Sequence, residues 1–376
     1  MTTLSIGRLM TDNPEIRGEL RLLLERLALP EIVRSAEEDP RGANLKLWDE
    51  LVQAGWVGMA LPEEQGGGGA GFADLHLALF ELGRAGAPVP FRSSVVSVGL
   101  FLATQLPDSS LARRVVADIA EGGRWTAAVA EDGSVGRLSA RVDDDRVTGT
   151  KRFVPDAQEV DGILIAARRG EGEIGWFIVE APFDGVTVRP HHVFGPERMS
   201  EVELADVKAE PLAFLPEESL QAWQTLWKFA EASWAAGTLV RALEIAIAHV
   251  SERHQFGRPI GSFQAVQHRL ADTSIGAQSS LHLTRRAAFA LDESGVASGR
   301  AALDVDLAYQ ATKDTSVAAV RNVHQVLGGA GFAIEHDLQL FTRRLKSFSV
   351  AGPRERDLAE SILIRTFSDL DEEGRA

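Results

Sequence analysis

A chain of 376 residues has room for two or three domains, and its 45% hydrophobic and 25% charged residues exclude a disordered or fibrous protein. Thirty-nine Lys and Arg against 54 Asp and Glu leave a net charge of −15, which argues against nucleic acid or an anionic membrane surface as partner. With no cysteine there can be no disulfide, no thiolate nucleophile and no Cys-held zinc or iron–sulfur centre.

The opening MTTLSIGRLMTDNPEIRG lacks the apolar core of a signal peptide, and no apolar run reaches the roughly 18 residues of a membrane span, so a cytoplasmic location is expected. Up to about Glu121 the pattern is helical. Leu20, Leu23, Leu24 and Leu27 recur at steps of three and four, as do Leu47, Leu51 and Val52, and Leu75, Leu79 and Leu82. The run Gly66 to Gly69 interrupts this zone as a loop, and no Lys-Ser/Thr pair follows it to make a phosphate loop. From about Arg124 to Leu215 the period becomes two. Arg146 to Thr150, Gly162 to Ala167, Ile174 to Glu180, Gly185 to Val188 and Glu201 to Val207 read as strands of a compact antiparallel sheet or barrel, with Phe153 and Trp176 as core anchors. Beyond Glu217 the helical period returns. Phe229, Ala232, Ala236, Val240, Leu243, Ile247 and Val250 mark one face of a long helix; three more helices are expected over 263–291, 299–327 and 354–367, which together suggest a bundle. The predicted fold class is α+β, with a helical domain over 1–121, a β-sandwich or barrel over 122–216 and a four-helix bundle over 217–376.

Two runs carry the chemistry. Arg253-His254-Gln255-Phe256-Gly257-Arg258-Pro259-Ile260, with Phe263, Gln264 and Gln267, lies where one long helix ends and the next begins. A guanidinium, amide donors and exposed backbone there suit the oxygens of a pyrophosphate, although an ordinary Gly–Pro helix connection accounts for them as well. Gln325-Val326-Leu327-Gly328-Gly329-Ala330-Gly331-Phe332 admits close backbone approach to a ligand or a helix C-cap. His191-His192 and His336-Asp337 have no third ligand at suitable spacing, so no metal site is expected.

Together the two runs resemble the signature stretches of the acyl-CoA dehydrogenase family of flavoproteins, especially its bacterial two-subunit, steroid side-chain branch. Gly55-Trp56-Val57-Gly58 through Pro62-Glu63-Glu64, Glu81-Leu82-Gly83-Arg84, and Thr148-Gly149-Thr150-Lys151 with Phe153 are similar to it too, in order along nearly the whole chain. The resemblance implies FAD held between the β domain and the bundle. Arg253, Gln255 and Phe256 would meet its diphosphate and ribose, while Gln264, Gln325, Gly328 and Gly329 would shape the adenosine half across a subunit interface. Val129 and Ala130, following Ala128, would line the flavin ring, with Phe153 stacked nearby. Two departures are evident: Ala130 stands where the family usually has a Thr before the Glu, here Glu131, and Pro155 where many members have a Thr.

The family's reaction also needs a carboxylate to take the α-proton of the thioester. By the resemblance, Gly352 occupies the usual Glu position after Arg343-Arg344-Leu345-Lys346, and Trp227, followed by Lys228, occupies the alternative one. The nearest carboxylate is Glu231, on a helical stripe with Trp227, Trp234, Thr238 and Arg241, where two indoles could raise its basicity; pairing with Lys228 on an exposed face is the plainer expectation. Glu355 is a second substitute, though a carboxylate at a helix start needs no catalytic role. The small basic cluster Arg343, Arg344 and Lys346 is read as a solvated turn or a contact for the CoA phosphates. The resemblance therefore implies an FAD-dependent α,β-desaturation of an acyl-CoA in fatty acid or steroid degradation. This chain would be the base-lacking subunit of a hetero-oligomer, a homo-oligomeric dehydrogenase with Glu231 as relocated base, or an oxidase or monooxygenase on the same scaffold. The implied partners are the acyl-CoA, an electron-accepting flavoprotein or similar carrier, and further subunits of a dimer or tetramer with FAD at the interface.

Overall fold

A computed structural model describes residues 14–39, 43–131, 138–170 and 173–373. The first zone is helical: α1 (Pro14–Leu27), α2 (Pro30–Glu38), α3 (Leu45–Gln53) and α4 (Phe72–Ala85) precede a π-helix over Arg92–Leu100, which runs into α5 (Phe101–Gln105) and α6 (Ser110–Ala120). The strands are β1 (Trp125–Ala128), β2 (Arg141–Asp143), β3 (Arg146–Pro155), β4 (Gly162–Arg169), β5 (Glu173–Glu180), β6 (Val186–His191), β7 (Met199–Lys208) and β8 (Glu210–Pro216). A 35-residue helix, α7 (Glu218–Glu252), leads into a miniature hairpin of β9 (His254–Gln255) and β10 (Arg258–Pro259). Then come α8 (Gln264–Ser294), α9 (Gly299–Leu327), α10 (Leu338–Val350) and α11 (Glu355–Glu373).

The sheet runs β6-β7-β3-β2-β4-β5-β8, with β1 also paired to β4. It is mixed, not antiparallel as expected, because both β1 and β2 lie parallel to β4. A period-two pattern fixes which residues share a face but leaves strand direction open. β4 shows why its sequence is continuously apolar. Leu164 and Ala166 join the large core shared with the helices, whereas Ile163 and Ile165 join a second core on the opposite face of the sheet. Trp176 is fully buried in the first core, but Phe153 is 41% exposed and anchors neither. It takes a left-handed backbone (φ +55°) and sets its ring edge-on to His191.

The helix α10 goes beyond the sequence expectation; its Arg-rich sequence masks an apolar face of Leu338, Leu340, Phe341, Leu345 and Phe348, all buried. What positions the interior is the crossing of α4 with α7. A Cβ at Gly83 would overlap the carbonyl of Trp234, and one at Gly237 would overlap the carbonyl of Phe80, so the two backbones meet without intervening side chains. Thr238 fastens the crossing by donating its hydroxyl hydrogen to the Gly83 carbonyl at 3.1 Å.

Candidate active site

A cavity of about 450 Å³ opens where the sheet, the π-helix, α7 and the end of α10 meet. Ala127, Ala130, Phe153 and Pro155 form its sheet wall. One stripe of α7 forms the facing wall, because Trp227, Glu231, Trp234 and Thr238 fall at steps of three and four along that helix. The π-helix brings Arg92 and Ser93 to the same space, and the α10–α11 connection adds Ala351 and Gly352.

Glu231 does not pair with Lys228. The Lys228 ammonium is buried and bonded to Asp306, whose other oxygen accepts from Ser361. Glu231 instead receives a hydrogen bond from Arg92 Nη1 at 2.6 Å, and the Arg92 guanidinium lies 4.4 Å over the Trp234 ring. Burial raises the Glu231 carboxyl above its ordinary pKa; Arg92 opposes this, and the carboxylates of Glu197 and Asp156 add to it. Asp156 has the same character. Burial raises its carboxyl, against the contact with the Ser93 hydroxyl at 2.6 Å and the charge of Arg92. Neither Arg92 nor Asp156 is signalled by the sequence, since a lone Arg after Pro90-Phe91 and an Asp after Pro155 belong to no periodic pattern.

Both carboxylate positions implied by the resemblance are filled by packing. Gly352 has φ +78°, and a Cβ there would collide with the Tyr309 hydroxyl and come within 2.8 Å of the Trp227 indole. Trp227 and Tyr309 lie against each other with ring centroids 5.7 Å apart, and Tyr309 donates its hydroxyl hydrogen to the Ala351 carbonyl at 3.0 Å. The indole thus occupies the space that a glutamate at 352 would need. Glu355 begins α11 on the exposed surface and does not reach the cavity. Arg343 and Arg344 do not form a solvated turn. They sit on α10 and share the carboxylate of Glu37, Arg344 at 2.8 Å.

The strand end beside the cavity is tied down by a buried ion pair. Lys151, fully buried, bonds Glu131 at 2.6 Å, and Glu131 also accepts from Ser139 and from the Ala140 N–H. Burial pushes the Lys151 ammonium down to about 8 against the pull of Glu131. The Val129 side chain points into the core, and the carbonyls of Val129 and Ala130 accept from Lys151 and from the Arg152 N–H, so Ala130 and Phe153 are the predicted ring-lining residues that reach the cavity.

The remaining predicted residues form a separate surface. Arg253 caps α7, and Gln255 and Phe256 lie on the β9–β10 hairpin, all exposed; Phe256 is 90% exposed at φ +55°. Gln264 starts α8, and Gln325, Gly328 and Gly329 lie at the end of α9, exposed as well. None of these lines the cavity. Arg258, a residue sequence reasoning did not assign, stacks its guanidinium 4.1 Å over Phe263 and stiffens the hairpin.

The acyl-CoA dehydrogenase N-terminal domain matches residues 11–122 and the C-terminal domain residues 228–358. The acyl-CoA dehydrogenase IpdE2 of Mycolicibacterium smegmatis is 30% identical over 349 residues, covering 91% of this chain and 95% of its own. The chain belongs to the acyl-CoA dehydrogenase family. It is therefore an oxidoreductase of the kind acting on CH–CH groups, in a family of FAD-dependent flavoproteins. Among solved structures, a variant of the Tcur3481-Tcur3483 steroid acyl-CoA dehydrogenase superposes with a TM-score of 0.84 at 27% identity, covering 96% of this chain and 98% of that one. The ChsE4-ChsE5 complex of Mycobacterium tuberculosis superposes with a TM-score of 0.83 at 26% identity, covering 97% and 99%. This acyl-CoA dehydrogenase chain is thus similar to the steroid, two-subunit branch.

Proposed function

We propose that this chain is the base-lacking subunit of a hetero-oligomeric, FAD-dependent acyl-CoA dehydrogenase that introduces an α,β double bond into an acyl-CoA thioester. One observation carries the reading: the Trp227–Tyr309 pair fills the space that a carboxylate at position 352 would need, and position 227 is itself an indole. Two relatives whose names join two chains, Tcur3481-Tcur3483 and ChsE4-ChsE5, support a partner of the same family. A second chain bearing the carboxylate would then perform the α-proton abstraction.

The residues present fit a flavin nucleotide. Ala127, Ala130 and Phe153 offer an apolar wall for its ring, and Arg253 and Gln255 offer a charged and a neutral donor for its diphosphate oxygens from an exposed hairpin. When bound, FAD supplies the acceptor for the hydride that leaves the β-carbon. The chain's own residues exclude water with the indoles of Trp227 and Trp234, which enclose the acyl group from the α7 side of the cavity. An electron-accepting flavoprotein or similar carrier would reoxidise the enzyme. Among the described residues no helix is long and apolar enough to cross a membrane.

A second reading makes Glu231 the base, and a specific observation favours it: its carboxyl lines the cavity between two indoles with raised proton affinity. Anaerobic titration of the FAD-loaded chain with acyl-CoAs separates the two. The proposal expects no flavin bleaching by the chain alone and bleaching after co-expression with a second family member. Bleaching by the chain alone that disappears in Glu231→Gln, with FAD retained, would overturn it in favour of the second reading.

A further inference from the structure

The cavity is apolar along most of its walls, yet one end concentrates charge. Arg92 and Ser93 leave the π-helix side by side; Glu231 meets Arg92 from α7, and Asp156 meets Ser93 from the end of β3. Glu197 borders the same space, and its Oε2 is buried with no hydrogen-bond partner among the described residues. Three carboxyl groups thus gather around Arg92. Arg198 and Arg344 line the cavity as well, Arg198 held by the carbonyls of Glu37 and Asp39, and Arg344 by the Glu37 carboxylate and the charge of Glu197.

The hydrogen positions are constrained as well. Ser93 Oγ lies 3.0 Å from the Pro90 carbonyl and 2.6 Å from Asp156 Oδ2, but a hydroxyl has one hydrogen to give. Both contacts are satisfied together when Ser93 donates to Pro90 and the Asp156 carboxyl carries the proton that it donates to Ser93. Burial, which raises the Asp156 carboxyl, is consistent with that assignment. The end of the cavity is therefore rich in acceptors, and each guanidinium beside it already has a partner.

We infer that this polar end is a specificity subsite for an acyl group bearing a neutral hydroxyl, read by Glu231, Asp156 and Glu197, and that it disfavours a bare hydrocarbon end. A hydroxyl donates to an open carboxylate oxygen and replaces the hydration that end would otherwise need. A methyl terminus leaves those oxygens desolvated without a partner. The inference rests on the acyl-CoA reading and supplies the substrate class for the same cavity.

Its test uses the FAD-loaded full-length protein and CoA thioesters of six to ten carbons ending in methyl, hydroxyl or carboxylate, with affinity read from flavin absorbance and calorimetry. At the best-fitting length the hydroxyl compound should bind about tenfold more tightly than the methyl compound, and more tightly than the carboxylate. Ser93→Ala and Asp156→Asn should each bring the hydroxyl-to-methyl ratio toward one, two substitutions guarding against a folding failure in either. Equal hydroxyl and methyl affinities, or a preference for the carboxylate, would overturn the inference and leave the acyl-CoA reading intact. Failure of every thioester to bind an FAD-loaded protein would overturn the acyl-CoA reading and this inference with it.

Discussion

At position 352 the backbone and its neighbours act together: φ is +78°, and the direction a side chain would take runs into Tyr309 and Trp227. Restoring the missing glutamate there should consequently restore no chemistry. Gly352→Glu is expected to lower stability by about 2–4 kcal/mol, from the left-handed backbone and from overpacking, and to give no bleaching with acyl-CoA alone. Urea denaturation and an anaerobic titration check the two halves. Combining it with Tyr309→Phe should recover part of the stability, because the Tyr309 hydroxyl is the nearest obstruction to an added Cβ. At this scale the sequence is informative where a residue sits in a pattern. Glu231 stands out as the carboxylate on a stripe of indoles, whereas its partner Arg92 comes from a π-helix some 140 positions earlier, and nothing local links the two.

Among the elements, the crossing of α4 and α7 sets the cavity's dimensions, since Glu231 and Trp234 stand on the same stretch of α7 that touches α4 through Gly237. Gly237→Ala should separate the helices and cost about 3 kcal/mol or more, given a backbone carbonyl as the obstructing atom. A thermal melt should fall by several degrees, and tryptophan fluorescence should report the displaced Trp234. The long helices are legible because each carries one apolar stripe, and β4 because it is buried on both faces. The α10 helix is obscured by Arg343, Arg344 and Lys346; the first two are charges whose partner Glu37 lies on α2, far away in sequence. Phe153 misleads for a related reason: a large aromatic in a strand reads as core, and only the left-handed turn at that residue shows that it faces the cavity.

Considered as a whole, the molecule presents its candidate nucleotide residues outward. The hairpin bearing Gln255 and Phe256 and the end of α9 bearing Gly328 and Gly329 are exposed, and the cavity lies apart from both. If, as the resemblance implies, the FAD site is shared between chains, cofactor retention should depend on subunit association. Serial dilution at fixed free FAD is expected to lower bound flavin and sedimentation coefficient together, and a monomer that keeps its flavin would contradict this. The aromatic plug has a consequence of another order. Trp227, Tyr309 and Gly352 come from α7, from α9 and from the connection before α11, so accommodating a glutamate at position 352 calls for coordinated change at three remote codons. On the base-lacking reading proposed above, such a plug would act as an evolutionary ratchet: with the base supplied by another subunit and this volume filled, the two genes would have to be inherited as a pair.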